Sequence, residues 1–120
     1  MTDELVFYGH GGTAVAYCND GEVIYLYSGE PVAYLSDDSV YAYSGAHLGF
    51  FNDGWIRDHS GLCVFFCEDS SGGPVRPIRN VRPVRGVRGV RPVRGVRAVR
   101  PGRAVRQLGW SPLSSPEFFR

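Results

Sequence analysis

The sequence predicts an all-β fold, a four-fold repeat of short antiparallel β-hairpins that closes into a ring or shallow barrel, followed by an extended Arg-rich tail. Three observations predict it: an internal repeat of 16 to 17 residues, two β-type runs in each repeat, and an Arg at every third position late in the chain. The 120 residues suit one small domain with a tail and exclude a large multidomain enzyme.

The repeat is clearest when the chain is aligned on four glycines, which are Gly12, Gly29, Gly45 and Gly61. An aromatic residue stands five positions after each glycine, and an Asp stands eight positions after it. The four Asp are Asp20, Asp37, Asp53 and Asp69. Chance does not plausibly align several columns across four units, so these eight positions are structural repeat residues.

Each unit contains two runs rich in β-branched and aromatic residues, such as residues 23–27 and 32–35. A Gly-containing turn joins the two runs, and Asn, Asp and Gly lie between units. No segment shows a convincing helical period. We therefore expect about eight strands of about five residues in an antiparallel meander, whose closure would protect both sheet edges.

The hydrophobic-x-Tyr-x-Tyr-Ser-Gly blocks, such as the one ending at Gly29, and the stretch at 47–56 resemble the four-fold β-flower family over about residues 5–70. Residues 74–111 are also similar to that family's basic triplet tail, which ends near a Trp-Ser. The resemblance implies a bacterial protein with four hairpin units around a pseudo-four-fold axis, and it implies no activity. A more distant likeness to tubby-like barrels, some of which bind membrane phosphoinositides, is an analogy of fold.

Charge and composition change abruptly near residue 72. Residues 1–73 contain 11 acidic residues and a single Arg, Arg57, whereas residues 74–120 contain 12 Arg and one Glu. We divide the chain into a repeat domain at 4–71, an Arg-rich triplet tail at 72–107 and a short apolar C-terminal segment at 108–120. The formal net charge of +1 therefore hides two halves of about −10 and +11.

A three-residue period matches polyproline II, which has three residues per turn. The Arg side chains would form one edge, the Val side chains a second, and the small residues and Pro a third. The candidate polyanion-binding residues are Arg76, Arg79, Arg82, Arg85, Arg88, Arg91, Arg94, Arg97, Arg100, Arg103 and Arg106.

Three interpretations of the tail stay open. It is a disordered, solvated basic segment, or an arm that binds nucleic acid or an anionic membrane surface through bidentate guanidinium–phosphate contacts. The third is internal: the tail docks on its own or a neighbouring acidic domain, its Val edge packing on aromatic side chains and its Arg stacking on Tyr rings. The apolar segment from Leu108 to Leu113, with Phe118 and Phe119, is either a docking anchor, on this domain or on a partner, or a frayed terminus.

Several possible sites have a structural explanation that is preferred. His10, Tyr27, Tyr43 and His59 share a column and could form a ring around a pore or a metal, but stacking is expected. Cys18 and Cys67 share another column and are expected to fill the core.

Other constellations are also unconvincing as sites. A metal pair between Cys63 and either His47 or Cys67 lacks a recognised ligand spacing, and single Asp residues in separate turns do not make a calcium site. The Asp58-His59-Ser60 run places adjacent side chains on different faces, so it cannot act as a triad. Tyr8, Tyr25 and Tyr41 share a column with Arg57; a cage for a cationic ligand is conceivable there, and strand packing is expected.

We expect a non-enzymatic binding module that engages polyanions, with a structural or self-assembling protein as the alternative, and no cofactor or metal. No apolar run is long enough to span a bilayer, and the acidic start at residues 1–5 is unlike a secretory signal. With three Cys and no pairing framework, a cytoplasmic location is expected.

Overall fold

In a computed structural model, which describes residues 4–113 and 116–119, the chain forms a closed barrel of eight antiparallel strands. A short 3₁₀ turn spans Pro116–Phe119. The strands are β1 (Leu5–Tyr8), β2 (Ala14–Cys18), β3 (Val23–Leu26), β4 (Pro31–Ser36), β5 (Ser39–Ala42), β6 (His47–Asn52), β7 (Trp55–Arg57) and β8 (Cys63–Phe66).

Every strand pairs with its neighbours in sequence, and β8 returns to β1 through Tyr8 and Phe66. The predicted all-β meander and its closure are therefore confirmed. Each of the four hairpins has a register shift in its first strand. The shift comes at the same column of the repeat, just before Tyr8, Tyr25, Tyr41 or Arg57. Such bulges increase local twist, which helps a small sheet to curve into a barrel.

The four glycines of the repeat column lie in the hairpin turns, as predicted, and have positive φ. Gly12, Gly29, Gly45 and Gly61 have φ between 86° and 100°, a conformation that L side chains rarely adopt. Between units, Asp37 and Asp53 also have positive φ, at 54° and 53°.

The inward face of the barrel is an apolar core. Phe7, Ile24, Val40 and Ile56, which occupy one column of the repeat, are completely buried there. Phe118 and Phe119 pack into the same cluster, where the Phe119 ring stacks on Phe65 with centroids 5.4 Å apart. The C-terminal segment therefore supplies side chains to the core of the repeat domain.

The three cysteines are buried and free. Cys18 and Cys67 belong to the inward cluster, as expected of core-filling residues. Burial raises the pKa of the Cys67 thiol to about 12, so this thiol stays protonated and unreactive at neutral pH.

The outward face is aromatic, because side chains alternate between the two faces of a strand. We call this surface the outer wall; it consists of Tyr8, Tyr17, Tyr25, Tyr34, Tyr41, Trp55 and Phe66. All seven side chains are buried. A barrel wall that is buried on its outside must be covered by another part of the chain.

Within the residues that the structure describes, no helix is long and apolar enough to cross a membrane.

Replacing Phe119 with Ala should lower the free energy of unfolding by about 3 kcal/mol, the usual cost of a Phe→Ala cavity in a core. Urea denaturation of the full chain measures the change. Leu113→Ala is the control, since that side chain is 44% exposed and should cost well under half as much. Equal effects of the two substitutions would contradict a core role for the C-terminal segment.

Candidate functional site, an arginine belt on the outer wall

The Arg-rich tail lies on the barrel and covers its outer wall. Residues 76–107, here called the belt, run past the four hairpin turns in chain order and touch each turn in the same way. Backbone amides nine residues apart donate to the carbonyls of the four turn glycines at 2.8 to 3.1 Å. The pairs are Asn80 to Gly12, Gly89 to Gly29, Ala98 to Gly45 and Gln107 to Gly61. Nine belt residues therefore match one barrel unit of 16 or 17 residues.

The close approach of the belt requires glycine in the turns. An added Cβ at Gly29 would lie 2.0 Å from the carbonyl oxygen of Val87, and one at Gly45 would lie 1.9 Å from that of Val96. Gly12 and Gly61 meet Ile78 and Val105 in the same way, at 2.1 and 2.2 Å. The glycine column thus serves both the turn conformation and the contact with the belt.

Small residues of the belt face the turns. The amides of Gly86 and Gly95 donate to the carbonyls of Tyr27 and Tyr43 at 2.7 Å, and a Cβ at either glycine would lie within 2.4 Å of a Ser carbonyl oxygen. Pro83, Pro92 and Pro101 also recur every nine residues. Proline has no amide hydrogen, so it fits the belt positions that span from one unit to the next.

The dimensions of the belt agree with those of the barrel. The 32 residues of the belt in polyproline II would measure about 99 Å, the circumference of a circle about 32 Å across. The two longest extents of the molecule are 36 and 35 Å. One extended belt with four repeats is therefore the right length to encircle this barrel once.

The arginines point towards the outer wall and take three roles that also recur every nine residues. One set lies over the first Tyr of a unit, with Cζ to ring-centroid distances of 5.4 to 5.8 Å: Arg79 on Tyr8, Arg88 on Tyr25 and Arg97 on Tyr41. A second set donates from Nε to a hydroxyl at 3.0 to 3.2 Å: Arg82 to Tyr8, Arg91 to Tyr25 and Arg100 to Ser39. A third set covers the second ring: Arg85 on Tyr17 at 3.8 Å, Arg94 on Tyr34 at 3.9 Å and Arg103 on Phe50 at 5.6 Å.

The same guanidinium groups reach the acidic residues of the barrel. Ion pairs link Arg79 with Glu68, Arg85 with Glu4, Arg91 with Asp20, Arg94 with Glu22, Arg100 and Arg103 with Asp38, and Arg106 with Asp53. Arg76 donates to the Glu68 carbonyl and the Ser70 hydroxyl. Each of the eleven belt arginines therefore has a partner on the repeat domain, and the two oppositely charged halves of the sequence neutralise each other.

The belt changes the ionisation of the groups beneath it. Burial raises the pKa of Tyr17, Tyr27 and Tyr43, and nearby arginines oppose that rise. At Asp20 burial favours the neutral acid, but the amides of Val23 and Glu22 and the Arg91 guanidinium outweigh it and lower the carboxyl pKa. Asp20 thus stays charged for its ion pair.

Arg57 holds the start of the tail and the end of the belt together. It occupies the column of Tyr8, Tyr25 and Tyr41, and it is 5% exposed. Its guanidinium donates to the carbonyls of Gly72 at 3.0 Å, Gln107 at 2.7 Å and Gly61 at 2.7 Å. The single arginine of residues 1–73 therefore joins the start of the tail, the end of the belt and the fourth turn.

Trp110 covers the fourth quarter of the outer wall in place of an Arg–Tyr stack. It pairs with Cys63 as an isolated parallel bridge, and its ring stacks on His10 with centroids 4.4 Å apart. Trp55 and Phe66 contact the same ring edge-on. The predicted anchor thus lies on this domain in the structure; Ser114, Ser115 and Arg120 lie outside the described residues.

One expectation needs correction. The Val edge does not pack on aromatic side chains: its residues are 85 to 95% exposed, because the stems and planar heads of the arginines occupy the space over the rings. The column of His10, Tyr27, Tyr43 and His59 packs against other aromatic rings, as expected: the partners are Trp110, Tyr17, Tyr34 and His47 in that order.

The other candidate residues make contacts that are typical of structural roles. Among the four repeat Asp, Asp20 accepts backbone hydrogen bonds from Glu22 and Val23 at 2.9 Å, as turn carboxylates do. Cys63 is fully buried against the outer wall. The described residues contain no group of three or more His, Cys, Asp or Glu that could hold a metal ion.

Sequence reasoning missed a buried histidine network. His47 is 8% exposed; its Nδ1 lies 2.9 Å from Nε2 of His59, and its Nε2 lies 3.1 Å from the Ser39 hydroxyl, which also accepts from Arg100. Burial, followed by the proximity of His59 and Arg100, lowers the pKa of His47 to about 4. No motif marks this network, because its members come from different columns.

Arg57→Met should destabilise the protein by about 2–4 kcal/mol, because three carbonyls lose a charged donor in a buried position. Arg57→Lys should restore only part of the loss, since an ammonium lacks the forked geometry. Urea denaturation measures both variants. Wild-type stability in Arg57→Met would show that the ends of the belt do not depend on this residue.

Stability should fall as the pH drops from about 6.5 to about 4. In that range the unfolded chain protonates at His47 while the folded chain does not, so protons favour unfolding. The full effect is at most about 3 kcal/mol. Urea midpoints at a series of pH values measure it, and His47→Gln should flatten the curve. An unchanged curve in that variant would assign the acid sensitivity to other groups.

Comparison with known proteins identifies one family. The model of the "4-fold beta flower protein" family matches residues 6–119, which includes the belt and the C-terminal segment as well as the barrel. No curated protein and no solved structure matches the chain, and the likeness to tubby-like barrels is not confirmed. With a family match over nearly its whole length, and with a closed barrel of four β-hairpins that agrees with a four-fold β fold, the chain belongs to the 4-fold beta flower family.

Proposed function

We propose that this protein is a non-enzymatic interaction module whose Arg-rich tail docks on its own acidic barrel, as in the structural or self-assembling alternative. The observation that carries the proposal is the shared register: one nine-residue step of the belt for each hairpin unit. A tail selected only for charge would need neither this period nor glycines at the contact points. The belt is better explained as a built-in part of the module's surface.

The charge balance supports an internal role for the arginines. All eleven belt arginines contact the repeat domain, seven of them through ion pairs with its acidic residues. Single exposed ion pairs contribute little, but a belt that engages many partners at once gains from their combination. Any phosphate polymer has to compete with carboxylates that are already in place.

Polyanion binding is the second candidate. The paired arginine side chains keep 33 to 50% of their surface exposed, so a nucleic acid or anionic lipid can still approach them. Binding through partly occupied arginines should be weak and should fall steeply with salt. Tight binding at physiological salt would favour this candidate.

An enzymatic role has less support. A cleft of about 570 Å³ beside β1 contains Glu4, Glu68, Asp69 and Arg82. However, Glu4 and Glu68 already pair with Arg85 and Arg79 of the belt. Acidic groups committed to structural pairs are poor candidates for proton transfer, which supports the non-enzymatic proposal.

A cytoplasmic location is also part of the proposal. Its support is the presence of three free, buried cysteines, which suit a reducing compartment. A bacterial origin follows only from the family resemblance.

The docked belt should resist trypsin. Trypsin cuts after Arg unless Pro follows, so the Arg88–Gly89 and Arg103–Ala104 bonds are informative. In the native protein both should be cut at least about tenfold more slowly than in urea-unfolded chain quenched into the same buffer. Limited proteolysis followed by mass spectrometry measures the two rates.

A matched pair of variants makes the test specific. Asp38→Asn removes the carboxylate that pairs with Arg100 and Arg103, and it should speed cleavage after Arg103 several-fold. Asp37→Asn is the control, because Asn also tolerates the positive φ of that position. Rapid cutting of wild-type belt, together with tight salt-sensitive binding of a labelled oligonucleotide, would overturn the proposal in favour of the polyanion arm.

A further inference from the structure

The tail carries a line of exposed apolar side chains. Ten residues of the tail, one before almost every Arg, are 85 to 95% exposed. We call them the apolar band: Val75, Ile78, Val81, Val84, Val87, Val90, Val93, Val96, Val99 and Val105.

The band follows from the three edges of the belt. The small edge must face the turns, because backbone amides donate there. The Arg edge must face the outer wall, because its guanidinium groups stack on rings and pair with carboxylates. The third edge is left for solvent, and the three-residue period fills it with β-branched residues.

The exposed apolar area is unusual for a monomer. At about 60–120 Å² for each fully buried Val, ten such side chains offer about 600–1,200 Å². The largest apolar patch on an ordinary monomer measures about 300–600 Å². A standard protein–protein interface buries about 800 Å² on each partner. Because the belt encircles the barrel, one partner covers the whole band only when two rings stack face to face, and the area is then large enough for a stable contact.

We propose that the apolar band binds the band of a second copy of this chain, so that the protein self-associates. This inference rests on the proposed function, because the band exists only while the belt is docked. A valine recurs at every third position on both copies, so the two stripes can interdigitate without a new partner sequence. Like surfaces in contact are typical of two-fold symmetric dimers.

The charge distribution favours this occupant over a lipid surface. The arginines next to the band turn inwards and are paired, and the whole chain has a formal net charge of +1. Two copies therefore meet with little electrostatic repulsion. An interfacial membrane contact normally combines apolar insertion with free basic groups, and the docked belt leaves few such groups unpaired.

The apolar band is interrupted at Gly102, so substitutions can extend the band as well as shorten it. Gly102 stands where the triplet pattern places a Val, and a Cβ added there meets nothing within 4 Å. Gly102→Val extends the band without disturbing the barrel. Replacing Val87, Val90 and Val93 together with Ser removes three adjacent members and leaves the neighbouring arginines in place.

Sedimentation equilibrium of the full chain between about 1 and 200 µM measures self-association as a dissociation constant. Wild type should associate, the triple Ser variant should raise the dissociation constant at least about tenfold, and Gly102→Val should lower it. Leu113→Ser is the control for loss of an exposed apolar group outside the band, and it should leave the constant unchanged.

The trypsin assay separates the two proposals. If the belt resists cleavage and wild type is a monomer throughout the range, the self-association proposal is wrong while the proposed function stands. Association that persists in the triple Ser variant also overturns it. Flotation with neutral and anionic lipid vesicles covers the other occupant: co-flotation of a monomeric wild type, lost in the triple variant, would assign the band to a lipid surface instead.

Discussion

The structure depends on the approach of one extended backbone to four glycine turns. Belt carbonyl oxygens lie where the Cβ of any other residue would stand, and belt amides donate to the turn carbonyls. Because the contact is made by main chain, it imposes its geometry without regard to most side chains. The nine-residue step, the inward Arg edge and the outward Val edge all follow once this register is set. A barrel of four hairpins therefore requires a tail that presents the same contact four times, once every nine residues.

The belt also explains how so small a barrel can be aromatic on both sides. A sheet of eight strands with three to six residues each has a limited interior, and a domain of this size is only marginally stable alone. Covering the outer wall with arginines gives the sheet a second buried layer. Arg suits this role better than Lys, because its planar head stacks on a Tyr ring while its edge still donates to a carboxylate. The chain contains no Lys, which fits that requirement.

Much of the fold could be predicted from local chemistry. The glycine column, the alternating aromatic residues and the turn Asp predict eight strands and their closure, because each feature acts within one unit. The destination of the tail could not be derived in this way, because most of its contacts join residues that are far apart in sequence, such as Gln107 with Gly61 and Arg85 with Glu4. A signal was present in Pro83, Pro92 and Pro101, which repeat every nine residues, but a period of three is easier to see. Arg57 was visible as the odd member of a Tyr column, yet its three carbonyl partners depend on the closed belt. His47 and His59 belong to different columns, so alignment of the repeat separates two side chains that the barrel brings together.

Two repeating patterns wound on each other can be assembled in more than one alignment. A belt displaced by one nine-residue step would meet the next turn with nearly the same Gly, Pro and Arg pattern, at little local cost. The residues that do not repeat exclude such a slip: Arg57 fixes both ends, Trp110 stacks on His10, and Phe118 with Phe119 enters the core. The tail can therefore change in length only by steps of nine residues. A triplet gained or lost would put every amide beyond it three residues out of register with its turn, whereas nine residues could change only together with a whole hairpin of the barrel.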